Sequence, residues 1–441
     1  MPNDFGLRIH GASQIVLICS NGEKVLSGEA QKSVVTLESS KGLTVIVDLW
    51  GQIRDFGEDD EMWKKYEGAV YQGYLDATGM CIMPGLVDAH THPVWVGDRV
   101  HEFAMKLAGA TYMDVHAAGG GIHYTVDHVR KASLEELTQP LVGRLRRMMQ
   151  GGTTLVEAKS GYGLDAPSEI KMLRAIEKAR SIVPIDISST YCGAHAIPKG
   201  STEEKATDDV LNVQLPAIQR LREAKELKVD NIDVFCEQGV FGIDNTRSIL
   251  VAGKNLGMEV NFHGDELHYT GSAELGASLG ARAISHLEEV SEAGMDAMAE
   301  AGSVAVLLPT TAYMLRLKQP PARQMIERGV PVALGSDFNP NAYCMSMPMV
   351  MHLACVNMRM TMPEALVAAT INAAAALNKS DTHGSIERGK ACDFVLIQAP
   401  SWEHLIYRFG DSSLIRYVIK GNDILYTNPV LYTERTQDVD L

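Results

Sequence analysis

The stretch that decides the fold is residues 81–92, which has the sequence CIMPGLVDAHTH. Its apolar part predicts a buried strand that ends at His90, and an extended chain places residues i and i+2 on one face. His90 and His92 can therefore direct two imidazoles at one point, an arrangement that suits a divalent cation such as zinc or iron(II). The alternative is that both histidines merely end a strand near solvent, since His-x-His is a common tripeptide.

Further apolar segments alternate with helical patterns along the middle of the chain, which is typical of repeated β/α units. The eight predicted strands are the run that ends at His90, Thr153–Lys159, Ile185–His195, Ile232–Glu237, Met258–His263, Ala283–His286, Val304–Pro309 and Pro331–Asp337. Eight such units predict an α/β fold of the (β/α)8 TIM-like barrel type, whose chemistry lies at the C-terminal ends of the strands.

The two ends of the chain have a different texture, with short β-rich pieces separated by glycine, asparagine and charged residues. The predicted strands in these regions are Gln14–Cys19, Ser33–Leu37, Leu43–Leu49, Asp393–Ile397 and Leu414–Ile419. We therefore predict that residues 1–80 and 382–441 fold together into a small composite β-sandwich domain, and that residues 81–381 form the barrel.

Composition excludes several classes of protein. With 441 residues, 46% hydrophobic and 22% charged, the chain has the content of a globular protein with a large core. A formal charge of −15 without a Lys/Arg cluster argues against a nucleic-acid surface. No apolar stretch approaches the ~20 residues of a membrane span, and residues 1–10 lack the shape of a signal peptide. Seven singly scattered cysteines are typical of reduced thiols, so we expect a cytoplasmic protein without membrane association.

Two more strand ends carry groups that bind metals. His263 ends strand five and Asp337 ends strand eight. Taken singly, the histidine could be satisfied by a backbone group and the aspartate could cap the next helix. Strands one and eight are neighbours in a closed barrel, so Asp337 can reach His90 and His92. Three histidines and one carboxylate predict a metal site with an open position, where a bound water becomes a nucleophile near neutral pH.

Glu266 and His286 are the candidate acid and base. Glu266 follows His263 by three residues, and a carboxylate there can take a proton from the water and later deliver it to a leaving nitrogen. His286 closes strand six, where it can orient the water or the substrate. The alternatives are a helix cap for Glu266 and a buried structural imidazole for His286.

The motifs together resemble a known family. The run 83–92 (MPGLVDAHTH), with His263, His286 and Asp337, is similar to the amidohydrolase superfamily. Three segments resemble the imidazolonepropionase family within it, and a fourth resembles its animal-type members: EAKSGYGL (157–164), GAHAIP (193–198), GSDFNPN (335–341) and WEHLIY (402–407). The resemblance covers essentially the whole chain. It implies a homodimeric hydrolase that opens the cyclic amide C–N bond of 4-imidazolone-5-propanoate to give N-formimidoyl-L-glutamate, the third step of histidine degradation.

The resemblance also implies roles for individual residues. Arg99 matches the arginine that holds the substrate propionate, which suits a guanidinium because it presents paired donors to a carboxylate. The substrate-binding positions implied are Arg99, Tyr112, Tyr162, His195, Glu266, Asn339, Asn341 and Ala342, and the catalytic ones are Glu266, His286 and Asp337. Taken alone, Arg99 would be a surface ion pair, Tyr162 a rim aromatic and Asn339 a helix cap. Bacterial members have a glycine in place of Asn341, which puts a close backbone approach there in doubt.

The number of metal ions follows from the lysines. Many amidohydrolases bridge two metals with a carboxylated lysine at the end of strand four, but Lys159 ends strand two and strand four ends at Glu237. We therefore expect one divalent metal ion per subunit, zinc or iron (Fe2+ or Fe3+). Glu237 could act as a bridging carboxylate, against a supporting or helix-start role.

Two other functions are compatible with the barrel. One is an aminohydrolase that acts on a purine or pyrimidine, which the cationic Arg99 argues against because it suits a propionate tail. The other is an inactive scaffold, which the retention of all four predicted metal ligands argues against.

Overall fold

The computed structural model describes residues 4–109 and 120–429, which divide into two compact units. The first unit contains the described parts of 1–17, 36–84 and 386–441, and the second contains 18–35 and the described parts of 85–385. Each unit has its own eight-stranded sheet. The predicted barrel and a separate β unit built from both ends of the chain are therefore confirmed.

The strands are numbered in chain order. They are β1 Asp4–Ile18, β2 Val35–Val47, β3 Ile53–Glu58, β4 Val70–Asp76, β5 Cys81–Pro84, β6 Leu86–Asp88, β7 Thr153–Lys159, β8 Asp186–Ala194, β9 Asn231–Cys236, β10 Glu259–Gly264, β11 Ala283–His286, β12 Val304–Leu307, β13 Val332–Leu334, β14 Asp393–Ile397, β15 Ile415–Lys420 and β16 Asp423–Thr427.

The helices of the described residues are mostly short. They are Asp59–Lys65, Val100–Leu107, Ile122–Lys131, Leu134–Gln150, Ala166–Arg180, Glu203–Asp209, Leu215–Glu223, Ile243–Asn255, Ser272–Leu279, Glu292–Ala301, Pro309–Leu315, Ala322–Glu327, Met347–Met358, Met362–Ala368, Ile371–Ala376 and Glu403–Tyr407, with a 3₁₀ turn at Gly28–Lys32 and a π turn at Val210–Gln214.

The barrel runs from β6 to β13 in chain order, and its neighbouring strands are parallel. The chain segments that follow β6 and β13 join the first strand to the last. The amide of Asp337 donates to the carbonyl of His90 over 2.9 Å, and the amide of His92 donates to the carbonyl of Phe338 over 2.9 Å. These bonds place the predicted metal ligands of strands one and eight side by side.

Burial on both faces explains why the barrel strands lack an alternating pattern. All seven residues of β7 and all four of β11 and of β12 are buried, as expected for parallel strands between a packed interior and a layer of helices. The helix Ile371–Ala376 contributes alanines to a cluster with side chains of the strands, among them Val87 and Leu155. Small alanine side chains allow this helix to approach the strands closely.

The predicted first strand is divided at Gly85. Residues 81–84 form β5, which pairs antiparallel with β14 in the terminal sheet, and residues 86–88 form β6 of the barrel. A β-carbon on Gly85 would lie 2.0 Å from the hydroxyl oxygen of Thr154, so only glycine fits this crossing. The barrel strand β6 ends at Asp88, two residues earlier than predicted, and His90 lies in the segment that follows it.

One N-terminal segment belongs to the barrel unit, although the sequence assigned it to the β domain. Residues 18–35 contain the 3₁₀ turn Gly28–Lys32 with the buried Gln31. The side-chain amide nitrogen of Gln31 donates to the backbone carbonyl of Val332 over 2.9 Å, and the side-chain oxygen of Gln31 accepts from the backbone amide of Val332 over 3.1 Å. This paired contact attaches the segment to the backbone of β13.

The terminal unit is one mixed sheet, in the order β16-β15-β14-β5-β1-β2-β3 with β4 also paired to β1. The long β1 pairs in parallel with β4 through Asp4–His10 and with β5 at Gln14 and Ile15. Its apolar face packs in a cluster with side chains of β2, β5 and β14. Strands β3, β4 and β16 were not predicted, because charged or polar residues interrupt or flank their apolar ones.

Candidate active site

Four predicted metal ligands converge where the barrel closes. The Nε2 atom of His92 lies 3.3 Å from Nε2 of His90 and 3.1 Å from Nε2 of His263. Asp337 Oδ1 lies 3.6 Å from Nε2 of His90 and 3.7 Å from Nε2 of His92. All four side chains are buried. The structure therefore brings together the end of β10 and the segments that follow β6 and β13.

Hydrogen bonds to the Nδ1 atoms, which lie away from the cluster, bear on which ring nitrogen carries the proton and which has a lone pair for a metal. His263 Nδ1 lies 2.8 Å from Asp233 Oδ1, and because a carboxylate only accepts, the proton is on Nδ1 and the lone pair is on Nε2. His90 Nδ1 lies 2.8 Å from the Ser285 hydroxyl, which can accept a hydrogen bond from an Nδ1 proton or donate one to an Nδ1 lone pair. Burial, reinforced by the nearby Lys159 cation, lowers the pKa of His90 and of His263 well below the usual range. The rings are therefore neutral at physiological pH, as metal ligation requires.

The donor set fits a divalent metal ion. Ligand atoms that bind zinc tetrahedrally at about 2.0–2.1 Å lie roughly 3.3–3.4 Å apart, close to the 3.1–3.7 Å of the four pairs of ligand atoms given above. His92 Nε2 lies 3.1 Å from the Nε2 lone pair of His263, so a cation between them is bound by both nitrogens when His92 carries its proton on Nδ1. Three nitrogens and one oxygen suit zinc or iron(II) better than magnesium or calcium, which prefer oxygen ligands.

Lys159 is not available as a bridging ligand. Its ammonium donates to Asp233 Oδ2 over 2.6 Å and lies 2.8 Å from Glu157 Oε2, and all three side chains are fully buried. Burial alone would lower the pKa of Lys159, but the two carboxylates outweigh it and raise the pKa, so the lysine stays a cation. A protonated amine cannot form the carbamate that would bridge two metals.

Glu237 is likewise engaged elsewhere. Its carboxylate accepts from the amide of Leu267 over 2.8 Å and lies 2.9 Å from Nδ1 of His268, and it also accepts from the Gln238 amide over 2.7 Å. These bonds hold the turn that follows Glu266. Glu237 therefore supports the backbone of the candidate acid/base residue.

The acid/base candidates form a row in which His286 lies between two carboxyl groups. His286 Nε2 lies 3.6 Å from Glu266 Oε2, and His286 Nδ1 lies 3.6 Å from Glu288 Oε1. Burial raises the pKa of Glu266 to about 8. Burial lowers the pKa of His286, but Glu266 and then Glu288 outweigh it and raise this pKa to about 10. His286 can therefore donate a hydrogen bond from Nε2 at neutral pH, while Glu266 exchanges a proton near neutrality.

The remaining predicted positions lie around a cavity of about 1170 Å³ in front of these groups. Arg99, Tyr162, His195, Asn339 and Asn341 line it together with His92, His263, Glu266, His286 and Asp337. Ala342 is buried and is not among the described lining residues. Tyr112 lies outside the described residues.

Aromatic rings form one wall of the cavity. The His195 ring stacks on His92, with centroids 4.6 Å apart and planes at 12°, and Tyr162 lies 5.4 Å from His195. His195 Nδ1 lies 3.0 Å from the carbonyl of Gly161, and burial lowers the pKa of His195 to about 4. The ring is therefore neutral, with a proton on Nδ1 and an Nε2 lone pair that can accept from a ligand N–H.

Asn339 holds the turn that contains the predicted metal ligand Asp337. Its amide nitrogen donates to the Asp337 carbonyl over 2.7 Å, and its oxygen accepts from the amides of Asn341 over 2.7 Å and Ala342 over 3.0 Å. The side chain of Asp337 also accepts from the Thr311 hydroxyl. Asn341 and Ala342 thus belong to the Asn339 turn through their backbone, where glycine is not needed for these bonds.

Sequence reasoning missed the residues that support the ligands: Asp233, Ser285, Glu288 and Thr311. Two had a signal in the sequence. Asp233 is a charged residue inside an apolar strand, and Glu288 stands two residues after His286. Ser285 and Thr311 had none, because a lone hydroxyl in a buried segment is usually satisfied by its own backbone.

The amidohydrolase family model matches residues 81–424. Curated relatives named as probable imidazolonepropionases include those of Danio rerio, 61% identical over 427 residues (97% of this chain and 98% of the relative), and Homo sapiens, 59% identical over 427 residues (97% and 100%). The relative of Dictyostelium discoideum, with the same name, is 55% identical over 429 residues (97% and 100%).

Solved structures share the fold at much lower identity. An adenosine deaminase from Xanthomonas campestris with bound zinc superposes with a TM-score of 0.68 at 18% identity, over 98% of this chain and 95% of that one. A guanine deaminase from C. acetobutylicum with bound guanine gives 0.65 at 16% identity, over 95% and 99%. These similarities concern the fold.

In the described part of the chain, every helix is too short or too polar to cross a bilayer.

Proposed function

Since this chain belongs to the amidohydrolase family and, within it, to the imidazolonepropionases, we propose that it hydrolyses 4-imidazolone-5-propanoate to N-formimidoyl-L-glutamate. One observation of the structure supports this function most directly. The guanidinium of Arg99 lines the same cavity as a cluster of neutral histidines and a carboxylate. A carboxylate tail and a hydrolysable ring can therefore be bound side by side.

The proposed metal ligands are His90, His92, His263 and Asp337. A divalent ion held there supplies an acidified water and polarises a carbonyl oxygen. We propose zinc or iron, one ion per subunit, because the lysine that a second ion would need is protonated between two carboxylates. Metal analysis of the purified protein by mass spectrometry checks both the identity and the ratio.

The substrate is held by groups around the cavity. Arg99 binds the propionate through paired N–H donors. Tyr162 and His195 confine the ring against the wall beside His92, and the neutral His195 accepts from a ring N–H. In this arrangement, we propose, the ring carbonyl lies in front of Glu266 and His286.

The chemistry needs one proton acceptor and one donor. Glu266, with its pKa raised to about 8 by burial, accepts a proton from the attacking water and passes it to the leaving nitrogen. His286 donates a hydrogen bond to the developing oxyanion. Hydroxide adds to the carbonyl carbon, the bond to the adjacent ring nitrogen breaks, and that nitrogen gains the proton. Asp337 is the alternative donor to the nitrogen.

The test follows the loss of ring absorbance when purified protein is given imidazolone propionate. The Glu266→Gln variant should retain its metal content and lose ~10²-fold or more in turnover. Glu289→Gln is the matched control, because Glu289 lies on the segment after His286 and faces Lys318 at 3.4 Å outside the cavity. Normal turnover of Glu266→Gln would remove Glu266 from the mechanism. Ammonia release from a nucleobase, with imidazolone propionate untouched, would replace the proposed function by that of an aminohydrolase.

Two further properties belong to the proposal. We expect a homodimer, which sedimentation of the purified protein measures. We also expect a cytoplasmic location, because scattered free cysteines suit a reducing compartment.

A further inference from the structure

Arg99 is held along one edge of its guanidinium. Its Nε donates to Glu102 Oε1 over 2.9 Å, and its Nη2 donates to Glu102 Oε2 over 2.7 Å. The two side chains are 8% and 2% exposed, so the pair is shielded from water. A buried, bidentate pair of this kind has one geometry, in contrast to a mobile surface ion pair.

Glu102 is itself fixed from two directions. It lies in the first turn of the helix Val100–Leu107, whose first amide is capped by the Asp98 carboxylate over 2.8 Å. Its Oε1 also accepts from the amide of Gly121 over 2.8 Å, immediately before the helix Ile122–Lys131. Moving the carboxylate away from Arg99 would therefore break backbone contacts as well as the ion pair.

The remaining donors of Arg99 are those that a ligand can use. A guanidinium has five N–H donors, and Glu102 occupies two of them along the Nε–Nη2 edge. The end formed by Nη1 and the second Nη2 proton is still a complete fork for a carboxylate. Arg99 is among the residues that line the cavity, and the Nη1–Nη2 end is the part of its guanidinium that Glu102 leaves unused.

We propose that Glu102 is a positioning residue for substrate recognition, which presents the Nη1–Nη2 end of Arg99 to the carboxylate tail of the substrate. The inference rests on the proposed function, because that function supplies the carboxylate. It predicts that affinity depends on the direction of the guanidinium rather than on local charge. Charge alone would give the opposite result, since removal of the negative Glu102 leaves the site more cationic.

The experiment compares the wild type with Glu102→Gln, which keeps the length of the side chain and removes its charge. We expect KM for imidazolone propionate to rise roughly 10- to 100-fold, as for the loss of a bidentate charged pair, with kcat within about threefold. The control is Glu177→Gln, which alters another i,i+3 pair with an arginine, Arg180, outside the substrate cavity. It should leave both constants unchanged.

Competition by two stable probes separates positioning from general damage. Imidazole-4-propanoate should lose affinity for Glu102→Gln, whereas the uncharged imidazole-4-propanamide should bind both proteins equally. In a double-mutant cycle, Arg99→Gln combined with Glu102→Gln should bind the acid no worse than Arg99→Gln alone, because Glu102 acts through Arg99. Additive losses, or equal losses for acid and amide, would overturn the proposal.

An unchanged KM in Glu102→Gln would also overturn the proposal. A lowered KM would overturn it by showing that Glu102 competes with the substrate for Arg99. If Glu102→Gln fails to fold, Glu102→Asp replaces it, since a shorter carboxylate keeps the charge but cannot reach both nitrogens. It should then lose acid-over-amide selectivity, and retained selectivity would refute the inference. A wild-type protein that binds the acid probe but does not hydrolyse imidazolone propionate would refute the proposed function instead, and would leave the Glu102 comparison intact.

Discussion

Replacing Asp233 by asparagine should weaken metal binding without unfolding the protein. Asp233 Oδ1 accepts from the ring nitrogen and the backbone amide of His263, over 2.8 and 3.1 Å, and Oδ2 accepts from Lys159 over 2.6 Å. An asparagine has only one accepting atom on its side chain. Whichever way it is turned, its NH₂ group meets a donor, either the Lys159 ammonium or the His263 N–H groups.

The size of the effect follows from these contacts. If the amide nitrogen faces His263, the ring loses the partner that holds its proton on Nδ1 and its lone pair on Nε2. Loss of such a supporting carboxylate typically costs 10- to 100-fold in metal affinity, or about 1.4–2.7 kcal/mol. Lys159 keeps Glu157 as a partner, so we expect stability to fall by about 1.5–3 kcal/mol, below the cost of an unpaired buried charge.

The assay is a titration of metal-free protein with zinc, buffered by a competing chelator, alongside thermal unfolding of the metal-free form. Glu157→Gln is the matched control, since it removes the other partner of Lys159 and has no contact with His263 in the described structure. It should destabilise the protein but leave zinc affinity within about threefold of wild type. Wild-type zinc affinity in Asp233→Asn, or an equal loss in both variants, would refute the assigned role of Asp233.

Three other predictions follow from the same contacts. Removal of metal by a chelator should abolish turnover and lower the melting temperature, because an ion that binds only the folded protein stabilises it. Zinc should restore both, and calorimetry at varied zinc concentration measures the effect on the melting temperature. Glu288→Gln should lower kcat with KM little changed, since Glu288 supports the protonated form of His286; an unchanged kcat would exclude that support. In the terminal unit, burial raises the pKa of Asp55, but hydrogen bonds from Lys65, then Arg388, outweigh it and lower the pKa. Asp55→Asn should therefore lower the free energy of unfolding by roughly 1 kcal/mol at pH 7. The difference between variant and wild type should shrink as the pH falls below about 4, and urea unfolding at several pH values measures it.

The order of the barrel strands was predictable from the sequence, because each one is a continuous apolar run bounded by helical patterns. β7 and β11 have the predicted bounds. The division of the first strand was not predictable, since both halves are equally apolar. What separates them is the contact of Gly85 with Thr154, a side chain 69 positions away in the sequence. Local periodicity contains no information about such a crossing.

The residues of the candidate site also fall into a group that the sequence predicted and a group that it did not. His90, His92, His263 and Asp337 were predictable because their residue types and strand-end positions are both visible in the sequence. The partners that fix their tautomers were not, since Asp233 lies 30 residues from His263 and Ser285 lies 195 residues from His90. Whether a buried polar residue supports a ligand depends on which strands are neighbours and on their register. Those are properties of the closed barrel.

The backbone identifies the reactive end of the barrel independently of the residue types. Asp265, His286, Leu287 and Asp337 have φ values of +50°, +78°, +68° and +47°, and each is the last residue of a barrel strand or lies within three residues after one. Such conformations cost on the order of 1–3 kcal/mol each in a residue other than glycine, and they persist only where surrounding contacts enforce them. Asp265 shows the enforcement, because its carboxylate accepts from the amides of residues 270 and 273 over 2.8 and 3.2 Å.

Two of the other positive φ values have a simpler origin: Arg316 and Arg359 end helices, where the left-handed conformation is the usual cap. His286 and Leu287, by contrast, adopt this conformation in succession at the end of β11. His286 and Glu288 thereby become neighbours at 3.6 Å, although Leu287 stands between them. The strained turn thus brings an acid against the imidazole that it is proposed to support. Substitution of Leu287 by glycine would remove the backbone strain at this position. We expect kcat to fall in this variant while its free energy of unfolding stays close to that of the wild type, which steady-state kinetics and urea unfolding measure.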